Sequence, residues 1–109
     1  MRRIVFGLPS LLALTMFVTM LPAPAAAADV DNGEALSYRW CAACHMVAAE
    51  QRNGSTQAPP FSAIANRPGF DAAMVALFLL TPHPKMPDMN LTRAEAADLA
   101  AYIAGQADR

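Results

Sequence analysis

Cys41-Ala42-Ala43-Cys44-His45 sets two thiols three positions apart and puts an imidazole directly after the second. Side chains at i and i+3 lie on one side of a helical turn, so both thiols can reach the two vinyl groups of one porphyrin. The residue that follows projects its imidazole beneath the ring, where it can bind the iron as proximal ligand. This spacing is the attachment sequence of a c-type haem. The chain has only these two cysteines, so no thiol is left over. The motif predicts one covalent haem c, held through Cys41 and Cys44, with His45 on the iron.

Other uses of the same residues fit less well. A thioredoxin-like dithiol belongs in a βαβ setting, and no alternating or β-branched run supplies strands. A structural zinc site needs four ligands, usually as two spaced pairs. Only His83 is left to join the first three, and Cys44 and His45 are immediate neighbours. A disulfide across two residues would be strained and would leave His45 without a task.

At 109 residues the chain has room for one small domain. Its first part is a separate matter. Arg2 and Arg3 precede an apolar run from Ile4 to Leu21, then Pro22-Ala23-Pro24 and an alanine tract ending at Ala28. A charged start, an apolar middle and small residues at the exit make a secretory signal. The expected division is therefore a signal peptide over 1–28 and a haem domain over 29–109. An uncleaved anchor is the rival, but Gly7, Pro9 and the alanine-rich exit favour cleavage. Export agrees with the motif, since bacteria attach c-type haem outside the cytoplasm. The expected location is periplasmic. The residues around Arg2-Arg3 do not resemble a twin-arginine signal.

A domain starting at Asp29 is near the lower limit for folding on an apolar core alone. A large, mostly apolar haem would supply much of that core, so the haem-free chain is expected to be poorly folded. From Asp29 onward there are six basic side chains (Arg39, Arg52, Arg67, Lys85, Arg93, Arg109) and nine acidic ones. That net negative charge argues against nucleic acid or an acidic membrane as partner.

The elements that position the motif read as helices. Asp31 and Glu34 stand at capping-box spacing, predicting a helix through Leu36 and Trp40 into the Cys41–His45 turn. A polar, loop-like stretch runs from Met46 to Pro60, centred on Asn53-Gly54-Ser55. Phe61 to Ala65 fits a short helical turn. Asp71 caps an apolar helix from Ala72 to Leu80, stopped by Pro82 and Pro84. Thr92 and Glu95 form a second capping box, opening a helix with Leu99, Tyr102 and Ile103 on one face and Gly105 at its stop. The fold class is all-α, wrapped around a cofactor.

The second axial ligand decides the function. A haem with one protein ligand can bind gases or catalyse, whereas one with two is normally an electron carrier. Met86, Met89, His83 and Lys85 all lie in one downstream loop. Lys85 would have to shed its proton at neutral pH, and His83 is hemmed in by two prolines.

Gly33, Leu36, the Cys41–His45 motif, Ala58-Pro59-Pro60-Phe61, His83-Pro84-Lys85-Met86-Pro87 and Leu99-Ala100-Ala101-Tyr102-Ile103 occur in that order. The series resembles a class I (mitochondrial-type) cytochrome c of the short bacterial kind, over essentially the whole chain after the signal. The resemblance implies a small cytochrome c fold with N- and C-terminal helices crossing at Gly33, against Leu99 and Tyr102. It implies that Met86, followed by Pro87, gives its sulfur to the iron, and that the Pro59 carbonyl accepts the His45 N–H. Phe61 would pack on the ring. Two features depart from the family. Ser37 stands where an aromatic residue is common, with Tyr38 and Trp40 nearby to compensate. Lys85 is the only lysine, where the mitochondrial proteins dock through a lysine ring.

The expected function is that of a periplasmic electron carrier, not an enzyme, with His45/Met86 ligation and transient docking of redox proteins at the haem edge. With one lysine, that docking is expected to be apolar and weakly salt-dependent. The alternatives are a haem subunit fixed in a dehydrogenase or oxidase complex, and a five-coordinate gas-binding or peroxidatic protein.

Overall fold

A computed structural model of the chain describes residues 25–54, 58–81 and 85–109. Most of the expected signal segment, Ser55, and His83 with its flanking prolines lie outside the described residues. Among the described residues there are four helices and no strand. They are α1 (Val30–Trp40), α2 (Phe61–Ala65), α3 (Ala72–Leu79) and α4 (Arg93–Ala104). The all-α expectation holds, and no helix among the described residues is long and apolar enough to cross a membrane.

Capping chemistry sets the helix starts. α1 opens two residues earlier than the Asp31–Glu34 spacing suggests, because Asp29 is its cap: the Asp29 carboxylate accepts the Asn32 N–H at 3.0 Å. Asp31 instead sits in the first turn, where a negative charge suits the positive end of the helix. Asp71 caps α3 as expected, accepting from the backbone of Ala73 and Met74. The Thr92–Glu95 capping box of α4 is complete, with the Thr92 N–H donating to Glu95 at 2.7 Å. That bond holds the Glu95 carboxyl below its ordinary pKa.

α4 ends at Gly105, the stop the sequence predicts, but not in the left-handed form common at a glycine. Gly105 has φ −70, a right-handed conformation open to any residue, so the chain does not stop there by a left-handed turn. It tightens instead, with Gln106 N–H bonding Ile103 and Ala107 N–H bonding Ala104. The left-handed residue is Asp108, at φ 63.

α1 and α4 cross at Gly33. A Cβ built there would overlap the Asp98 carbonyl oxygen and stand 2.9 Å from Tyr102 Cβ. Only a glycine lets the two backbones come this close. Around the crossing, Leu36, Val47, Phe61, Leu99, Tyr102 and Ile103 form the buried core. Ser37 is fully buried and donates its hydroxyl to the Glu34 carbonyl at 2.7 Å. Tyr38 is exposed and does not replace the missing aromatic. Trp40 packs against the core instead, its ring under the Arg39 guanidinium at 5.0 Å.

Candidate haem site

α1 ends where the motif begins, and the turn that follows is held by its own backbone. The Cys41 carbonyl accepts both the Cys44 N–H at 3.0 Å and the His45 N–H at 2.9 Å. This keeps the two cysteines on successive arms of one tight turn. Cys41 is buried and Cys44 exposed. Burial pushes the Cys41 thiol up to about 11, so within this packing it stays protonated at neutral pH and is a poor nucleophile.

His45 is aimed by the loop opposite. Its Nδ1 lies 2.7 Å from the Pro59 carbonyl oxygen. A carbonyl can only accept, so Nδ1 carries a proton, and in the neutral ring Nε2 is then the nitrogen able to bind a metal. The Pro59 loop is tied back in turn, since Phe61 N–H donates to the Met46 carbonyl at 2.9 Å. Phe61 is buried between rings, with centroids 5.5 Å from His45 and 6.3 Å from Tyr102. The Tyr102 hydroxyl then donates to the Val47 carbonyl at 3.1 Å, joining α4 to the turn that carries His45. Burial raises the phenol above its ordinary pKa, so it remains a donor.

These groups converge on one cavity of about 480 Å³, within the ~300–1,000 Å³ range usual for cofactor sites. Cys41, His45, Pro59, Phe61 and Met86 all line it. Cys44 does not, lying exposed next to it in sequence. The remaining walls are mostly apolar, from Ile64 and Phe70 through Val75, Phe78 and Leu79 to Leu99 and Ile103. Arg67 and Asp71 are the charged lining residues. α3 has no buried residue of its own: Met74 and Phe78 face this cavity while remaining more than half exposed. So apolar and so exposed a face suits packing against a flat apolar group in the cavity.

The candidates for the second axial position separate. Met86 is half-buried and faces the cavity, whereas Met89 is buried in the core and Lys85 is exposed, neither of them lining it. Among the described residues no cluster of three or more His, Cys, Asp or Glu side chains could hold a bare metal ion. A paired thiol turn, an imidazole with a free Nε2, a thioether and apolar walls are the donor set that a haem takes. The residues present fit that group.

Gln51 escaped the sequence reading, because a lone glutamine in a polar loop carries no signal. Its Oε1 accepts the Val47 N–H at 2.8 Å. Its Nε2 is shared among the carbonyls of Ala42 and His45, both at 3.2 Å, and Asn53 at 2.7 Å. One side chain thus replaces the backbone pairing that an irregular loop cannot supply. Gln51→Leu, close in size, leaves these groups unpaired and is expected to cost about 2 kcal/mol or more. Denaturant unfolding of the haem-loaded protein measures this, and an unchanged midpoint would refute it.

Comparisons with known proteins agree with this geometry. Residues 28–103 match the family model described as cytochrome c oxidase, cbb3-type, subunit III. A cytochrome c-552 of Bradyrhizobium diazoefficiens is 47% identical over 92 residues, covering 84% of this chain and 88% of that protein. No solved structure matched the chain. With the motif turn, the apolar cavity and a family match that spans all four helices to within a residue of α4's end, the chain belongs to this c-type cytochrome family: a small mono-haem class I electron-transfer cytochrome whose haem c is carried covalently.

Proposed function

We propose that the chain is exported to the periplasm, loses residues 1–28, and works there as a soluble electron carrier with His45 and Met86 as axial ligands. The observation that carries the ligation is the convergence of His45, already oriented by Pro59, and Met86 on one cavity. The signal-like leader and the general export of c-type cytochromes support the location.

Bound haem supplies a one-electron iron couple. The chain's residues do the rest. Cys41 and Cys44 tether the group at both sides of one turn. Pro59 fixes the His45 tautomer and ring plane, which strengthens the imidazole as a donor. The Met86 thioether is a soft, neutral ligand that favours the reduced ion and raises the potential. Phe61, Leu99, Ile103 and the wall from α3 exclude water. Redox-protein partners would dock at the exposed haem edge. With Lys85 as the chain's only lysine, apolar contact is the means.

The family description names an oxidase subunit, which favours one second reading: a haem subunit held permanently by a larger complex. Gel filtration of the periplasmic extract in high salt tests both. A free carrier is expected to elute as a small red protein whose ferrous form does not bind carbon monoxide readily. Elution with large partners in high salt would establish the second reading. Ready carbon monoxide binding would remove the carrier reading and establish a five-coordinate haem.

A further inference from the structure

Asp98 is an acidic side chain on α4 that is 8% exposed, in the crossing with α1. Its Oδ1 accepts the backbone N–H of Asp29 at 2.7 Å, and its Oδ2 accepts the Asn32 side-chain amide at 2.8 Å. Both donors are neutral in the full-length chain, and a buried carboxylate with only neutral donors is a costly arrangement. Asp29 is also the residue that would begin the processed protein. Residues Ala25 to Ala28 run exposed into the start of α1, so the Ala28–Asp29 bond is accessible.

We propose that Asp98 is a socket for the new amino terminus: leader removal turns the Asp29 nitrogen into an ammonium that forms a partly buried ion pair with Asp98 and locks α1 onto α4. This rests on the cleavage reading given above. Hydrolysis of the Ala28–Asp29 amide leaves a carboxylate on Ala28 and a protonated amine on Asp29. The same nitrogen, already 2.7 Å from Oδ1, changes from a neutral to a charged donor without rearrangement of the chain. Charge-assisted bonds of this kind are about twice as strong as neutral ones. A positive charge at a helix N-terminus is otherwise unfavourable. Here the Asp29 carboxylate, Asp31 in the first turn and Asp98 across the interface offset it. Processing thereby stabilises the helix crossing on which the haem cavity is built.

The test uses haem-loaded protein. Intact mass of the periplasmic form gives the natural N-terminus. Chains beginning at Asp29 are then compared with chains retaining Ala28, each with Asp98 or with Asp98→Asn. Retaining Ala28 leaves the Asp29 amide in place and moves the charge away, so the side chains of the fold are untouched. In the Asp98 background, it is expected to raise the unfolding equilibrium constant by about tenfold or more. In the Asp98→Asn background the same extension is expected to change it by less than about threefold. An N-terminus other than Asp29 overturns the cleavage reading, and the proposal for the natural protein with it. An Asp29 N-terminus with equal effects in both backgrounds overturns the proposal alone.

Discussion

Met86→Ala is expected to abolish the weak long-wavelength band of the oxidised haem that reports iron–sulfur bonding, and to let carbon monoxide bind the reduced form. The midpoint potential should fall by on the order of 0.1 V or more, within the ~0.8 V range over which axial ligands set haem potentials. The reason is the placing of Met86. It is the described methionine of its loop that faces the cavity holding His45. Met89, three residues on, is 6% exposed and turned into the core. Met89→Ala is therefore the control: it should leave the band and the potential in place while costing about 2–5 kcal/mol of stability as a core truncation. A band that survives Met86→Ala, or one lost only in Met89→Ala, would refute the assignment. His83 lies outside the described residues, so the same spectrum is also its test: a parent protein without the band would bring His83 back as ligand.

Gly33→Ala should have the largest effect on stability of any single-methyl addition to α1. Helix propensity alone says the reverse, since alanine is about 1 kcal/mol better than glycine inside a helix. The crossing decides otherwise. The new methyl would overlap the Asp98 carbonyl, whose carbon lies 2.6 Å from the built Cβ, and that obstacle is backbone, which no rotamer change can clear. An obstacle that is backbone puts the overpacking cost at the upper end of its usual range, about 3 kcal/mol, so after the alanine gain the net loss is expected to be about 2 kcal/mol. For a domain of this size that lowers Tm by roughly 10 °C. Gly33→Val should be worse, and the haem spectrum at low temperature should be unchanged in both. Thermal melts of haem-loaded protein measure it. A Tm equal to or above the parent's would mean that α1 and α4 do not meet as described.

The attachment turn needed no fold to be legible. Two thiols at i and i+3 followed by an imidazole constrain the chemistry locally, and that is information a sequence carries directly. The helix starts at Asp71 and Thr92 were legible for the same reason, because a cap is a contact within a few residues. Asp29 was missed as the cap of α1 because two acidic residues stand two apart, and spacing alone cannot say which one faces the helix axis. Gly105 was legible as the stop of α4, whereas its right-handed φ and the burial of Gln106 just beyond it, at 5% exposure, came only from the structure.

What spacing could not determine was which distant residues meet. The hydrogen bond from His45 to Pro59 spans fourteen positions, Tyr102 to Val47 spans fifty-five and Asp29 to Asp98 sixty-nine. Pro59 could be named from the sequence only through its likeness to a known family, and Asp98 and Gln51 not at all. By itself the sequence determined the cofactor, the attachment residues and the helical class, since these follow from chemistry within one turn. Only the tertiary structure turned Met86 toward the cavity and Met89 away from it. It also buried Asp98 beneath the start of α1, because the approach of two helices is fixed by side chains far apart in the chain.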